Sequence, residues 1–212
     1  MTGYYTLRET EKAVTERLGG LELDFGAMAA VSNLHRAASA VRNHFEQSVL
    51  RDVDLTWTGF VVLWVVWIWE EMETKHVAEE CGISKGTLTG VAKTLESRGL
   101  LVRTVPPDDR RLSVLSLTGR GRELMTELFP RFNAEEQFTL TGLTDRRTQE
   151  LTRTLRHMVK HIEENGEERE ARVRASISDS KLPELATGGR QQQKPAGTRR
   201  TDPRRRTSPK PG

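Results

Sequence analysis

Residues 60–69 form an unbroken apolar run that includes Trp64, Trp67 and Trp69. At about half of the ~20 residues needed to cross a bilayer as a helix, the run excludes a membrane span and predicts a helix with little face left for water. With Leu55 and Trp57 it makes residues 55–71 the central core helix. No membrane partner is expected. The first twenty residues carry Arg8, Glu9, Glu11, Lys12, Glu16 and Arg17 without an apolar stretch, which is unlike a secretory signal.

The other elements follow from spacing. In residues 25–50, Phe25, Met28, Ala29, Val31, Leu34, Val41, Phe45 and Val49 recur every three or four positions, the pattern of a long amphipathic helix. Thr74 caps a short helix that ends at Gly82, and Ser84 caps the next, which stops at Gly99. The period then changes. Residues 101–105 and 112–117, joined across Pro106, Pro107, Asp108 and Asp109, predict a two-stranded hairpin as the whole of the sheet. Thr118 opens a helix running to about 138 and bent near Pro130. After Gly142 a last helix carries Leu143, Leu151, Leu155, Met158, Val159 and Ile162, and its stripe fades at 163–166.

Charge divides the chain. Residues 171–212 hold eleven Lys and Arg against three acids, a net of +8, whereas the rest carries −5. The pI of about 9.2 therefore belongs to the C-terminal segment and says nothing about the folded part. That segment is rich in Pro, Gly, Gln, Ser and Arg, too polar to offset ordering entropy by burial. The expected organisation is an N-terminal arm or extra helix over 1–20, a folded body over 21–165 and a basic, disordered tail over 166–212. The single cysteine, Cys81, excludes an internal disulfide framework and suits a reducing compartment, with the cytoplasm as the expected location.

Two consecutive helices, a tight turn between them and a following hairpin define a winged helix-turn-helix, whose second helix enters the DNA major groove. On that helix Leu88, Val91, Ala92 and Leu95 form an i, i+3, i+4, i+7 anchor stripe. The opposite face presents Lys85, Gly86, Thr87, Thr89, Gly90, Lys93 and Thr94. Each interior glycine costs about 1 kcal/mol against alanine, a sacrifice that close approach to a surface explains. Ser84, Lys85, Thr87, Thr89 and Lys93 offer donors for phosphates and base edges, with Arg103 at the base of the wing and Arg110 and Arg111 at its tip.

These residues resemble a known family. The runs Ile83-Ser84-Lys85-Gly86-Thr87-Leu88-Thr89 and Leu95-Glu96-Ser97-Arg98-Gly99-Leu100-Leu101, followed by Asp109-x-Arg111 and Leu117-Thr118, are similar to the MarR family of winged helix-turn-helix regulators over roughly residues 25–165. The resemblance implies a mainly α fold with long dimerisation helices and one hairpin, and a homodimer on double-stranded DNA. It also implies an Asp109–Arg111 pair that stiffens the wing while Arg110 or Arg111 enters the minor groove. A small, aromatic effector is implied in a crevice walled by Trp57, Phe60, Val61 and Trp64, with His35 and Arg42 as polar contacts.

The remaining features point elsewhere. Cys81 sits between Ala78 and Ile83 on an apolar face and reads as an inert core residue. His157 and His161 share a helix face but lack a completing ligand set, so no metal is expected. No cofactor is expected, and no Gly-rich phosphate loop or Gly-x-Ser-x-Gly turn supports an enzyme. The expected function is sequence-specific repression from an inverted-repeat operator. The rival is an architectural protein that binds DNA through its basic tail with little sequence preference.

Overall fold

The computed structural model describes residues 5–107 and 112–178. The wing-tip residues Asp108, Asp109, Arg110 and Arg111, and the tail from 179 onward, lie outside the described residues. The chain divides into two compact units, Met1–Leu143 and Thr144–Gly212.

The first unit begins with α1 (Leu7–Leu18), opened by a capping box in which Thr6 and Glu9 satisfy each other's backbone N–H groups. Asp24 then caps α2 (Phe25–Phe45), accepting from the Ala27 N–H at 2.8 Å. Instead of continuing as one α-helix to residue 50, the chain widens into a π-turn (Glu46–Leu50) and tightens into a 3₁₀ turn (Arg51–Val53). This change of pitch buries Phe45, Val49 and Leu50 together. Asp54 follows in the left-handed region at φ 49° and turns the chain toward Thr56, the cap of α3 (Trp57–Trp69).

α3 is the core helix that its apolar run predicts. Val62, Leu63 and Val66 are wholly buried, and Val65 and Phe60 nearly so. Phe60 stacks on Phe132 at 4.1 Å between ring centroids, Phe45 lies 4.2 Å from the same ring, and Trp57 lies 5.9 Å from Phe45 and 6.1 Å from Phe132. Aromatic packing of this kind joins the end of α2 to α3 and to the later helix that carries Phe132.

Among the described residues the sheet has three strands, not the two expected. Between α3 and the next helix lies β1 (Glu71–Glu73), which pairs antiparallel with β3 (Val114–Leu117), and β3 in turn pairs with β2 (Leu101–Thr104), in the order β1-β3-β2. Met72 opposes Leu115, and Thr74 donates its N–H to the Ser113 carbonyl at 2.8 Å. α3 accordingly ends at Trp69 rather than 71, because Glu70 at φ 63° breaks the helix so that Glu71 can enter the ladder.

α4 (Thr74–Glu80) and α5 (Lys85–Ser97) come next, then the β2/β3 hairpin and α6 (Gly119–Thr139). α6 continues as one helix through Pro130. Its first turn lies against the start of β2. A Cβ at Gly121 would stand 2.1 Å from the Leu100 carbonyl oxygen, and Thr118 both caps α6 and donates its hydroxyl to the Gly99 carbonyl at 2.6 Å.

The described residues of the second unit form one helix, α7 (Asp145–Ser178), which runs past the expected end at 163–166 and takes in the first part of the segment expected to be a disordered tail. Ion pairs Lys160–Glu164, Glu168–Arg172 and Glu170–Arg174 at i, i+4 spacing carry it through a stretch poor in apolar residues. Among the described residues no helix is long and apolar enough to cross a membrane.

Candidate nucleic-acid interface

The turn between α4 and α5 is built on Gly82 at φ 62°, a conformation that side-chain-bearing residues rarely adopt. Ile83 returns its N–H to the Ala78 carbonyl at 3.0 Å, which fixes the angle at which α5 leaves. Ser84 accepts from the Thr87 N–H at 3.0 Å and its hydroxyl meets that of Thr87 at 2.9 Å, so both residues serve the helix start. Leu88, Ala92 and Leu95 are buried and Val91 half-buried, so α5 is anchored along the stripe its spacing predicts.

The outer face is open. Ser84, Lys85, Gly86, Thr87, Thr89, Gly90, Lys93 and Thr94 are all exposed. Neither helical glycine is required by the protein itself. A Cβ at Gly90 would meet nothing within 4 Å, and one at Gly86 would touch only the Ser84 hydroxyl at 3.7 Å, an ordinary contact. Thr89 and Thr94 donate their hydroxyls back to the Lys85 and Gly90 carbonyls at 2.8 and 3.1 Å. With its proton committed, each hydroxyl oxygen keeps its lone pairs as an acceptor.

Lys85, Thr89 and Arg103 line one recess of about 180 Å³ floored by Leu88. Thr74 completes its wall; expected as the cap of α4, it is instead the first residue of that helix, whose N-cap position is Glu73 without a side-chain cap. Arg103 is not a free cation: its Nε lies 2.9 Å from Glu96 Oε1, each side chain about one third exposed. The wing-tip pair expected between Asp109 and Arg111 falls outside the described residues.

The residues expected at an effector crevice have mixed environments. Phe60 is a core residue stacked on Phe132, which corrects its assignment to a crevice wall, since the ring that shares a face with Trp57 and Trp64 is already covered. Trp57 and Val61 are half-buried against the same core. Trp64 is 39% exposed on α3, and His35 is exposed on α2. Arg42 lies 3.5 Å from Glu46, whose same oxygen accepts the Trp57 N–H at 3.0 Å.

A different recess, of about 390 Å³, lies between α1 and α2. It is lined by Leu7, Val14, Phe25 and Met28 with Arg36 and Asn33, and Asn33 is tied to Glu11 at 2.7 Å. Cys81, at the end of α4, is half-buried, and burial, with the charge of Glu80, pushes its thiol up to about 11. Among the described residues no cluster of His, Cys, Asp and Glu could hold a metal ion.

Comparison with known proteins agrees with this geometry. The profile of the MarR family matches residues 55–113, which span α3, the helix-turn-helix and the first part of the hairpin. The uncharacterized HTH-type transcriptional regulator YwaE of Bacillus subtilis is 34% identical over 140 residues, covering 66% of this chain and 82% of the relative. The HTH-type transcriptional regulator SarZ of Staphylococcus saprophyticus is 32% identical over 120 residues, covering 56% of this chain and 80% of the relative. Among solved structures, BpsR of Bordetella bronchiseptica, whose DNA binding is regulated by 6-hydroxynicotinic acid, superposes with a TM-score of 0.58 at 30% identity. It covers 61% of this chain and 98% of its own. On its fold and its relatives, this chain belongs to the MarR family of winged helix-turn-helix transcriptional regulators.

Proposed function

We propose that this regulator is a homodimeric repressor that reads an inverted-repeat operator with α5 and is released by a small aromatic effector. The observation that carries the reading is the outer face of α5. Two glycines that nothing in the protein requires stand between Lys85, Thr89 and Lys93, leaving the backbone free to approach a groove while donors and acceptors flank it. Ser84, Lys85, Thr87, Thr89 and Lys93 contact DNA from this helix, with Arg103 at the wing base and Arg110 or Arg111 in the minor groove. Asp109 pairs with Arg111.

Dimerisation is supported by apolar side chains left uncovered in one protomer, Val31 and Leu34 on α2 and, separately, Val159 and Ile162 on α7. A two-fold dimer carries two copies of α5, so the half-sites lie about one helical turn, roughly 10 bp, apart or slightly more. Occupancy of such a site at a promoter blocks transcription. Release by an aromatic acid rests on the likeness to BpsR and on Trp57, Val61, Trp64, His35 and Arg42 as the contacts. Residues 1–20 add to the dimer, 21–165 form the regulatory body and the basic residues beyond 166 tether DNA without choosing sequence.

The test is selection of DNA fragments by the purified chain at near-physiological salt, repeated with Arg110→Ala/Arg111→Ala. One inverted repeat, bound several-fold more weakly by the variant, is the expected result. Recovery of fragments without preference, unaffected by the substitutions but lost on deleting residues 179–212, would replace the repressor with an architectural DNA-binding protein.

A further inference from the structure

The residue that follows the recognition helix makes a long-range contact that the family assignment does not require. Arg98 is the C-cap of α5, with Gly99 at φ 67° turning the chain away immediately after it. Its side chain does not point toward the open face of the helix. Nη2 donates to the Val53 carbonyl at 2.7 Å and Nη1 donates to the Asp54 carbonyl, 45 and 44 residues earlier in the chain. These two carbonyls close the 3₁₀ turn at the end of the α2 segment, where helix geometry leaves acceptors without a partner. Asp54 holds the left-handed conformation that sets its carbonyl beside that of Val53.

We infer that Arg98 is a positioning residue for DNA reading, a two-pronged clamp that ties the C-terminal end of the recognition helix to the 3₁₀ turn between α2 and α3. The inference rests on the DNA-binding reading of α5. Three observations support it. A guanidinium presents two parallel donors in a rigid fork and so can satisfy both carbonyls at once, whereas an ammonium is a single compact charge. The neighbouring Glu96 pairs with Arg103 on β2, so the end of α5 is held by the wing on one side and by the 3₁₀ turn on the other. The N-terminal end of α5 is held separately, by Ser84, the short turn to α4 and the buried Leu88, so the fork of Arg98 adds a hold at the opposite end of the helix. Any movement of the 3₁₀ turn is thereby passed to the reading helix through two hydrogen bonds as well as through the packed core.

The full chain carrying Arg98→Lys separates this role from the alternatives, in two measurements. Without DNA, amide exchange is expected to quicken together in residues 51–56 and 94–99, with little change in Tm. With DNA, affinity for the selected operator is expected to fall about tenfold while affinity for random DNA and the slope of log affinity against log salt stay as they were. Arg98→Met, which keeps the stem and removes the donors, repeats both effects more strongly.

Unchanged exchange, or unchanged operator affinity, overturns the clamp. A salt slope reduced by about one overturns it in another way, by making Arg98 a phosphate contact. If the wild-type chain shows no operator preference, the regulator reading fails, and the exchange measurement alone then decides whether the two segments are coupled.

Discussion

Glu96 on α5 and Arg103 on β2 meet at 2.9 Å, carboxylate oxygen to guanidinium Nε, so the base of the wing is ion-paired to the reading helix. On the proposed DNA-binding reading, the pair acts in two opposed ways. It holds Arg103 near the recess that also contains Lys85 and Thr89, yet it occupies the cation and leaves an acid beside a surface that would meet phosphates.

Glu96→Gln is therefore expected to tighten operator binding several-fold and to steepen its salt dependence by about one counterion, as Arg103 becomes free to neutralise a phosphate. The stability cost should be below about 1 kcal/mol, the range for partly exposed pairs. Titrations at several salt concentrations check this. Weaker binding with an unchanged slope would show instead that the pair aims the wing.

Gly90 gives a prediction in which stability and function move in opposite directions. With open space around the added methyl group and ordinary helical backbone, Gly90→Ala should stabilise the fold by about 1 kcal/mol. The same methyl group stands where α5 is to approach the groove, so operator affinity should fall at least about tenfold. Thermal unfolding and DNA titration of one preparation give both values. A stabilised variant with full affinity would remove close approach as the reason for the glycine.

Gly121 is the contrary case. Its added Cβ would sit 2.1 Å from the Leu100 carbonyl oxygen, a backbone atom that is itself the acceptor for the Thr118 N–H. Relief requires α6 to move off β2, and Gly121→Ala should cost about 2–4 kcal/mol. Urea unfolding monitored by tryptophan fluorescence checks it, and a loss below 1 kcal/mol would mean that α6 shifts freely at its first turn.

These two glycines show what spacing can and cannot reveal. The stripe Leu88, Ala92 and Leu95, the caps Ser84 and Thr118 and the burial of α3 are all legible in one sequence, because each depends on residues within a turn or two of one another. β1 was not legible: Glu71, Met72 and Glu73 have no strand signal of their own, and pairing with β3 makes them one. The run of α7 to Ser178 escaped an apolar-stripe reading because alternating charges, not burial, extend it. The family resemblance puts Phe60 on a crevice wall beside Trp57 and Trp64, and a shared helix face does not identify what covers it. The fork of Arg98 had no sequence signal, since its acceptors are backbone carbonyls that any residue supplies.

Cys81 leads to a prediction about pH and oxidation. Burial, and after it the charge of Glu80, raises its thiol from the ordinary 9.0 to about 11, so the native thiol stays protonated where a free one ionises. Two units correspond to about a hundredfold less thiolate near neutrality, and the thiolate is the reactive form. Alkylation at pH 7.5 should thus be at least about a hundredfold slower in the native chain than in urea, and mild peroxide should leave operator binding unchanged. The linkage to stability has a definite sign. Below pH 9 both folded and unfolded thiols are neutral and stability is unaffected. Between pH 9 and about 11 only the unfolded chain ionises, so stability falls as pH rises through that window. A Cys81→Ala chain should lose this alkaline decline while keeping every other feature of the pH profile. Rapid alkylation of the native protein, or loss of DNA binding on oxidation, would make Cys81 a sensing thiol instead.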